Sequence, residues 1–243
     1  MMRNIRIYQP SEYDLNSEVM LSKTACQHIC KVLRLNCGDE IILFNGLGQS
    51  AIGQIQNNEA KSCSVLIKEK INEDTESFLK IHLGLGISKG DRMDYAIQKS
   101  VEAGVTEISP LVTERTIVKL DHKREQKRLE HWSGIIISAC EQSGRSFLPK
   151  LNPIQNIDNW QNAESNCRLV FDCDAKQSLN ELQAVDNVAI LIGPEGGLSP
   201  TEIDVAHEQG FIKTKLGPRV LRTETAAVMA CGVVQMLWGD YRS

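Results

Sequence analysis

From residue 81 onward, apolar runs of strand length alternate with segments of helical spacing, and this alternation limits the possible folds more than any other feature. The strand-like runs are 81–86, 108–112, 168–171, 188–192 and 211–216. The helical segments are 90–103, 122–143, 200–209 and 223–238. Successive parallel strands need a crossover between them, which is usually a helix. The order therefore predicts an α/β fold with a mainly parallel sheet that is covered on both faces.

The first 70 residues have a different pattern, in which short strands are separated by tight turns. The strand-like segments are Ile41–Phe44, Ala51–Gln56 and Ser64–Ile67. Turn dipeptides such as Asn45-Gly46 between them predict a small β-barrel, preceded by a short helix over 24–35. The polar stretch 70–78 marks a boundary, so we expect a barrel domain over 1–72 and an α/β domain over 73–243.

The composition limits the class of protein. With 243 residues, a net charge of −4 and 42% hydrophobic residues, the chain has the balance of a globular protein, which excludes a disordered chain or a uniformly basic nucleic-acid coat. No apolar run approaches the roughly 18 residues of a membrane helix, and the N-terminal segment lacks the apolar core of a signal peptide. We therefore expect a cytoplasmic protein whose eight cysteines are free thiols.

The segment Leu191–Glu202, LIGPEGGLSPTE, is the strongest candidate for a ligand site. Its glycines follow a buried parallel strand, at the edge of the sheet where open α/β folds bind ligands, and they let a ligand approach the backbone closely. Ser199, Pro200 and Glu202 then fit the cap, the first position and the capping-box position of a helix. A plain strand-to-helix turn is the alternative, although three glycines and an acid in five residues exceed what a turn requires.

A second segment, Leu216–Arg222, repeats this arrangement after the next strand. Thr223 is predicted to cap the helix that follows, and Glu224 in the first turn suits the positive end of the helix dipole. The two arginines of the segment indicate either a binding loop or a pair of surface ion pairs, and the residues alone leave both open. Because the helix is apolar on nearly all sides over 226–237, we expect it to be buried in the core or against a second subunit.

Positive charge is concentrated in two stretches of this acidic chain. Between residues 115 and 150, eight basic residues face four acidic ones, and a second basic group lies between residues 3 and 34. A solvated helix face is the commoner explanation of such a run, and an RNA-binding surface is the functional one. Within the first stretch, Glu141 and Arg145 are four residues apart, which taken alone indicates a helix salt bridge.

Several other patterns do not satisfy the motifs they approach. The chain has neither the P-loop of phosphate-binding enzymes nor the G-x-S-x-G elbow of serine hydrolases. Cys26, His28 and Cys30 have the spacing of metal ligands, but a closed zinc site needs a fourth ligand and no second cluster supplies one. We therefore expect no metal.

Several segments together resemble one enzyme family over essentially the whole chain. LIGPEGGLSPTE at 191–202 and LGPRVLRTETAA at 216–227 are similar to the two C-terminal motifs of the 16S ribosomal RNA uracil-N3 methyltransferases, the RsmE type of the SPOUT superfamily. Further similarities are KGDRMD at 89–94, QKSVEAG at 98–104, EQSGR at 141–145, Arg6-Ile7-Tyr8, and His28 with Val32-Leu33-Arg34.

The resemblance implies an S-adenosylmethionine-dependent methyltransferase that acts on N3 of a uridine in the decoding region of 16S rRNA, within the small ribosomal subunit. It also implies a PUA-like β-barrel that binds RNA, an α/β domain of SPOUT type with a C-terminal trefoil knot, and a homodimer formed through the knot. The alternatives are a non-catalytic RNA-binding assembly factor and a SPOUT methyltransferase with another RNA target.

Positions that match the family's motifs give the expected site residues. For the methyl donor they are Phe171, Ile192, Gly193, Pro194, Glu195, Gly196, Gly197, Leu216, Gly217, Leu221, Arg222, Thr223, Thr225 and Ala226. For RNA they are Arg6, His28, Lys31, Arg34, Lys89, Arg92, Arg115 and Lys119. For catalysis, Arg222 and Arg145 are expected to stabilise a uracil anion, and Glu141 or Glu195 is expected to accept the N3 proton.

Overall fold

The computed structural model describes residues 5–59, 62–72, 75–116, 122–160, 165–172 and 175–241. The chain divides into two compact units. The first unit comprises the residues up to Glu76 together with Cys140–Leu148, and the second comprises Ser77–Ala139 together with the residues from Pro149 onward. The sequence pattern predicts a single boundary at residue 72, with residues 140–148 in the α/β domain, whereas the structure divides after Glu76 and places 140–148 in the first unit.

Residues 140–148 belong to the first unit through contacts that are distant in sequence. Phe147 forms isolated β-bridges with Gly46 and Leu47. The guanidinium of Arg145 forms an ion pair with the carboxylate of Glu76. Because these partners are 69 to about 100 positions away along the chain, no local periodicity indicates the association.

A five-stranded sheet forms the frame of the first unit. Its strands are β1 (Arg6–Tyr8), β2 (Glu18–Met20), β3 (Glu40–Phe44), β4 (Ser50–Glu59) and β5 (Ser62–Ile71). They pair in the order β1-β3-β4-β5-β2, with β1 parallel to β3 and the other pairs antiparallel. Ile41, Leu43, Ile55, Val65 and Ile67 alternate inward along the strands and are at most 2% exposed. The β-rich prediction for this part of the chain is confirmed.

The predicted helix over 24–35 takes two forms. α1 (Lys23–Gln27) is capped by Ser22, whose Oγ accepts a backbone hydrogen bond at 3.2 Å. The chain continues as a π-helical turn over His28–Leu33. Arg34 ends this turn in the left-handed region, with a φ of 55°.

The second unit is a parallel sheet with helical connections. Its strands are β6 (Lys80–Gly86), β7 (Glu107–Val112), β8 (Lys150–Leu151), β9 (Gln155–Asn156), β10 (Cys167–Phe171), β11 (Gln177–Ser178), β12 (Asn187–Ile192) and β13 (Ile212–Lys215). Its helices are α2 (Asp91–Glu102), α3 (His122–Ser143), whose last turn belongs to the first unit, α4 (Pro200–Glu208) and α5 (Thr223–Trp238). Short 3-10 turns lie at Ile157–Asn159 and Leu179–Glu181.

The strand order in this sheet is β11-β13-β10-β12-β6-β7-β8, with β9 also paired to β7. Every one of these pairs is parallel. The ends of the helices and strands predicted between residues 81 and 238 agree with the observed ends to within one residue. The prediction of a mainly parallel sheet is therefore confirmed.

The middle strand β12 is apolar on both faces because helices or loops cover both. Ala189 and Leu191 pack in one cluster with Trp160, Ala206 and Phe211. The intervening residues point to the other face of the strand, and α5 contacts both β12 and β6. Among the described residues, no helix combines the length and the apolar character needed to span a bilayer.

Candidate active site

A cleft lies at the carboxyl edge of the parallel sheet in the second unit. The strands β10, β12 and β13 are neighbours and run in the same direction, so the loops that follow them meet at this edge. The segment after β12, residues 193–199, is here called the glycine loop, and the segment after β13, residues 216–222, is called the arginine loop. Both line a cleft of about 880 Å³, a volume within the range of small-molecule sites.

The structure brings together nearly all of the residues predicted to bind the methyl donor. Those that line the cleft are Phe171, Ile192, Gly193, Pro194, Glu195, Gly196, Gly197, Leu216, Gly217, Leu221, Arg222, Thr223 and Ala226. Thr225 was predicted with them, but it is exposed on α5 and is not part of the lining.

The cleft also includes residues outside the set that the motifs predict for the methyl donor. Pro200, Ile203 and Asp204 line it from α4, and Lys213 of β13 forms an ion pair with Asp204 at 3.4 Å. Positions three and four residues apart share a helix face, so the assignment of Pro200 to the first turn would have been enough to find Ile203 and Asp204. Arg219 and Val220 also line the cleft, from the segment Leu216–Arg222 that was predicted as a possible binding loop, as do Leu198, Glu224 and Asp172.

Close backbone packing explains two of the glycines around the glycine loop. A Cβ atom on Gly86, at the end of β6, would lie 2.5 Å from the backbone nitrogen of Pro194. Gly197 has a φ of +69°, and its N–H donates to the carbonyl of Pro194 at 2.8 Å, which closes a tight turn. The loop therefore folds back on itself and packs on the neighbouring strand, a conformation that side chains at these two positions would prevent.

Glu195 of the glycine loop contacts the loop that follows β6. Its Oε1 accepts a hydrogen bond from the backbone N–H of Lys89 at 3.0 Å and lies 3.3 Å from Nη1 of Arg92. Partial burial raises the pKa of this carboxyl, but the backbone hydrogen bonds and the Arg92 charge outweigh burial, so the net pKa lies below the ordinary value. Lys89 and Arg92 were predicted to bind RNA, and both are exposed.

A second arginine predicted to bind RNA also contacts the glycine loop. Nη1 of Arg115 donates to the carbonyl oxygen of Gly196 at 2.7 Å. Arg115 belongs to the turn after β7, and in the same turn the N–H of Glu114 donates to Oε1 of Glu202 at 2.7 Å. Glu202 completes the predicted capping box of α4 with Ser199, so this prediction is confirmed.

The start of α5 differs from the prediction. Thr223 was expected to cap the helix, but it is the first helical residue, and Arg222 occupies the cap position without a capping side-chain hydrogen bond. The Arg222 side chain has no hydrogen bond or ion pair to a described residue and is exposed in the cleft. Glu224 in the first turn has a buried Oε2 that lacks a hydrogen-bond partner in the part of the chain that the structure describes.

The other two residues predicted to act in catalysis lie in the first unit. Arg145 is 4% exposed, and its guanidinium donates to both carboxylate oxygens of Glu76, at 2.8 and 2.5 Å. Oε1 of Glu141 accepts a hydrogen bond from the backbone N–H of Tyr8 at 3.1 Å. Burial raises the pKa of Glu141, while the Tyr8 hydrogen bond and the nearby His28 oppose that shift. Neither Arg145 nor Glu141 lines the cleft.

The remaining residues predicted to bind RNA also lie in the first unit, with one exception. Lys31 and Arg34 are exposed, and His28 is half-buried in the same π-helical turn. The guanidinium of Arg6 lies over the ring of Phe44 at 5.2 Å. Lys119 falls outside the described residues. Within the described ranges, no three His, Cys, Asp or Glu side chains are grouped as metal ligands.

Known families match both units of the chain. Residues 75–235 match an RNA methyltransferase domain, and residues 25–68 match an RNA methyltransferase PUA domain. Ribosomal RNA small subunit methyltransferase E of Buchnera aphidicola (subsp. Schizaphis graminum) is 37% identical, over 97% of each chain. The chain belongs to the ribosomal RNA small subunit methyltransferase E family. The resemblance drawn from its motifs is confirmed.

Further relatives of the chain share its sequence and its fold over most of its length. The Bacillus subtilis member is 33% identical, over 88% of this chain and 89% of that protein. The Neisseria gonorrhoeae member, solved with S-adenosyl methionine, superposes with a TM-score of 0.91 at 37% identity, over 98% of this chain and 100% of that chain. A Legionella pneumophila protein solved with this cofactor has a TM-score of 0.94 at 42% identity, with the same coverage.

Proposed function

We propose that this protein transfers the methyl group of S-adenosylmethionine to N3 of a uridine in the decoding region of 16S rRNA, on the small ribosomal subunit. The observation that carries the proposal is that both C-terminal family motifs converge on one cleft at the carboxyl edge of the sheet. Membership of the methyltransferase E family supports the activity, and the two solved relatives with bound S-adenosylmethionine support the cofactor.

The residues of the cleft fit S-adenosylmethionine chemically. Ile192, Leu216 and Leu221 offer apolar side chains to an adenine ring, and the glycine loop offers closely approachable backbone. The first turn of α5 has no side-chain cap, so its N–H groups are available to hydrogen-bond acceptors of a ligand. The buried Oε2 of Glu224 needs a hydrogen-bond donor, and the hydroxyl and amino groups of the cofactor are donors.

The chain must make N3 of the uracil reactive and hold it in place. When bound, S-adenosylmethionine supplies an electrophilic methyl group. N3 lies on the Watson–Crick edge and carries a proton, so the protein must hold the base unpaired and stabilise the negative charge that develops on the uracil as this proton leaves. We assign the stabilising charge to Arg222, because its exposed guanidinium lies in the cleft and pairs with no described residue.

Arg145 and Glu141 have other contacts within their own unit. The paired, buried guanidinium of Arg145 supports a role in holding residues 140–148 to the first unit through Glu76. A direct part for either residue in proton transfer or anion stabilisation stays a prediction.

We also propose a homodimer formed through the C-terminal region, with the trefoil knot of the SPOUT superfamily. The exposed side of α5 supports the dimer, because Met229 and Met236 are 48% and 50% exposed on it. In the adjoining arginine loop Val220 is 84% exposed. Apolar side chains grouped in this way are typical of surfaces that a partner covers. The knot is proposed from the motifs that the chain shares with the SPOUT superfamily.

The RNA partner is proposed to contact both units. In the first unit the exposed Lys31 and Arg34 support this contact, and in the second unit Lys89, Arg92 and Arg115 do so beside the cleft. Cations of this kind bind phosphates independently of base sequence. A substrate on the ribosome also leads us to propose a cytoplasmic location.

Nucleoside mass spectrometry tests the proposed function. The protein and S-adenosylmethionine would be incubated with small ribosomal subunits from a strain that lacks the modification, and the rRNA would then be digested. We expect new 3-methyluridine. Bound RNA without any methylated nucleoside would instead favour a non-catalytic assembly factor, and a different methylated nucleoside would favour another acceptor atom.

A further inference from the structure

We infer that Glu195 and Arg115 are positioning residues that hold the glycine loop in the shape that binds the methyl donor, and that Glu195 is not the proton acceptor. The inference rests on the proposed function, since it assigns the loop to donor binding. It arises from three contacts that join the loop after β12 to the loop after its neighbour β6 and to the turn after β7, the next strand in the sheet.

The contact with the loop after β6 is made by the Glu195 carboxylate. Its Oε1 accepts from Lys89 N–H, two positions before α2 begins, and pairs with Arg92 in the first turn. The cap residue of α2 is Gly90, which has no side chain with which to cap the helix. A carboxylate at this end of the helix complements its dipole. Glu195 therefore stabilises the start of α2 and the glycine loop together.

The contacts with the turn after β7 act on the other part of the loop. Arg115 donates to the Gly196 carbonyl at 2.7 Å, and the Cβ of Arg115 lies 3.2 Å from the place where a Gly196 Cβ would stand. Glu202, at the end of the same segment, accepts from Glu114 N–H in the same turn. The loop is thus held at Glu195 itself and again on the C-terminal side of Glu195.

These contacts leave Glu195 poorly suited to accept a proton. Its side chain is 22% exposed, and Oε1 is occupied by the Lys89 and Arg92 donors. Those donors stabilise the ionised carboxylate and hold its pKa below the ordinary value. A carboxylate stabilised in this way is a weaker base, whereas a catalytic base needs a pKa near the working pH.

The test compares variants of the full-length protein by donor affinity and by rate. Glu195→Ala removes both contacts with the β6 loop, Glu195→Gln keeps an acceptor for Lys89 N–H without the charge, and Glu208→Gln, exposed at the end of α4, is the matched control. We expect Glu195→Ala to weaken S-adenosylmethionine binding in calorimetry about tenfold, the scale of a lost charge-assisted hydrogen bond. Glu195→Gln should fall between wild type and Glu195→Ala.

The steady-state rates separate positioning from proton transfer. We expect Glu195→Gln to raise KM for the donor, with kcat reduced by less than about fivefold and with the wild-type dependence of rate on pH. A loss of about a hundredfold or more in kcat at unchanged donor affinity would make Glu195 a base and overturn the inference. Unchanged donor affinity in Glu195→Ala would overturn it as well.

Arg115 offers a rescue experiment. Arg115→Lys keeps a cationic donor for the Gly196 carbonyl, whereas Arg115→Ala removes it, so we expect donor affinity to fall more in Arg115→Ala. Equal affinity in the two variants and in wild type would contradict the role of Arg115. Calorimetry measures donor binding without turnover. A wild-type protein that binds the donor but does not methylate rRNA would therefore refute the proposed function, while the binding measurements on the variants would still test this inference.

Discussion

The two loops that line the cleft differ in how firmly the rest of the chain holds them. The glycine loop, 193–199, has an internal turn, a capping box, and hydrogen bonds from the Lys89 N–H and the Arg115 side chain. The arginine loop, 216–222, has no hydrogen bond to a described residue apart from the Arg222 carbonyl, which accepts from Ala226 N–H inside α5. Its Val220 is 84% exposed.

The difference indicates that the two loops have different roles in ligand binding. A rigid loop on a packed sheet edge presents a fixed surface to the cofactor, and preorganised contacts lower the free-energy cost of binding. A loop with few internal contacts changes its conformation at a low free-energy cost to fit what enters the cleft, but it loses more conformational entropy when it orders. Arg222, the residue proposed to recognise the RNA base, lies on the less constrained loop.

Removal of the Arg222 side chain is expected to have the largest effect. Arg222→Ala should lower kcat by about 100- to 1,000-fold, the usual cost of losing one group that stabilises a developing negative charge. Donor affinity should change by less than about threefold, because the arginine acts on the uracil. The matched variant Arg219→Ala, on the same loop, should lose less than about tenfold in kcat. Equal losses of donor affinity and kcat in Arg222→Ala would contradict this assignment.

A methyl group at Gly86 should have the second-largest effect, because it disturbs the packing of the glycine loop. In Gly86→Ala the new Cβ would stand 2.5 Å from Pro194 N, so either β6 or the glycine loop must shift. We expect the free energy of unfolding to fall by about 1–3 kcal/mol, together with donor affinity. Urea unfolding and calorimetry measure the two effects. Gly134→Ala in α3, where a Cβ meets nothing within 4 Å, is the control and should be neutral or stabilising.

Loss of the capping box should have a smaller effect. Ser199→Ala removes the Oγ that accepts from Glu202 N–H at 3.3 Å. The expected fall in the free energy of unfolding is about 0.5–2 kcal/mol. Thr201→Ala, exposed in the first turn of the same helix, should change it by less than about 0.5 kcal/mol. Similar values for the two variants would show that the cap contributes little to holding the glycine loop.

The smallest expected effect is on the pH dependence of stability. The pKa of Glu195 is lower in the folded chain than its ordinary value of 4.5, so its contribution to stability is present above about pH 4.5 and is lost as the pH falls through the lowered value. The difference in unfolding free energy between wild type and Glu195→Gln should therefore shrink between pH 6 and pH 3. A difference that stays constant over this range would mean that the carboxylate gains nothing from Lys89 N–H and Arg92.

Features that depend on residues close together in the sequence were predictable, whereas contacts between distant residues were not. The capping box at Ser199 and Glu202 was predictable because both residues and their partners lie within four positions. The bounds of α4, α5 and the buried strands were predictable because apolar periodicity is also local. Contacts such as Arg115 to Gly196 span 81 positions, and no pattern of residue types indicates that particular pairing.

Two wrong or incomplete predictions have local causes. A threonine followed by an acid fits a helix cap, but Thr223 enters the helix because the chain before it, at Arg222, already has extended backbone with φ −66° and ψ 153°. The single helix expected over 24–35 has the apolar spacing of an α-helix, yet the chain widens to a π-helical turn at His28. In both cases the local sequence is compatible with two backbone conformations, and packing against the rest of the chain determines which one forms.

The assignment of residues 140–148 to the first unit has a consequence for synthesis of the chain. Arg145 and Phe147 supply buried or bridging contacts to Glu76 and Gly46, so the first unit lacks part of its framework until residue 148 has left the ribosome. At about 5–20 residues per second, roughly 4–14 s separate the emergence of residue 76 from that of residue 148. During that interval residues 77–139 of the second unit emerge, so the first unit cannot complete its framework before part of the second unit is outside the ribosome.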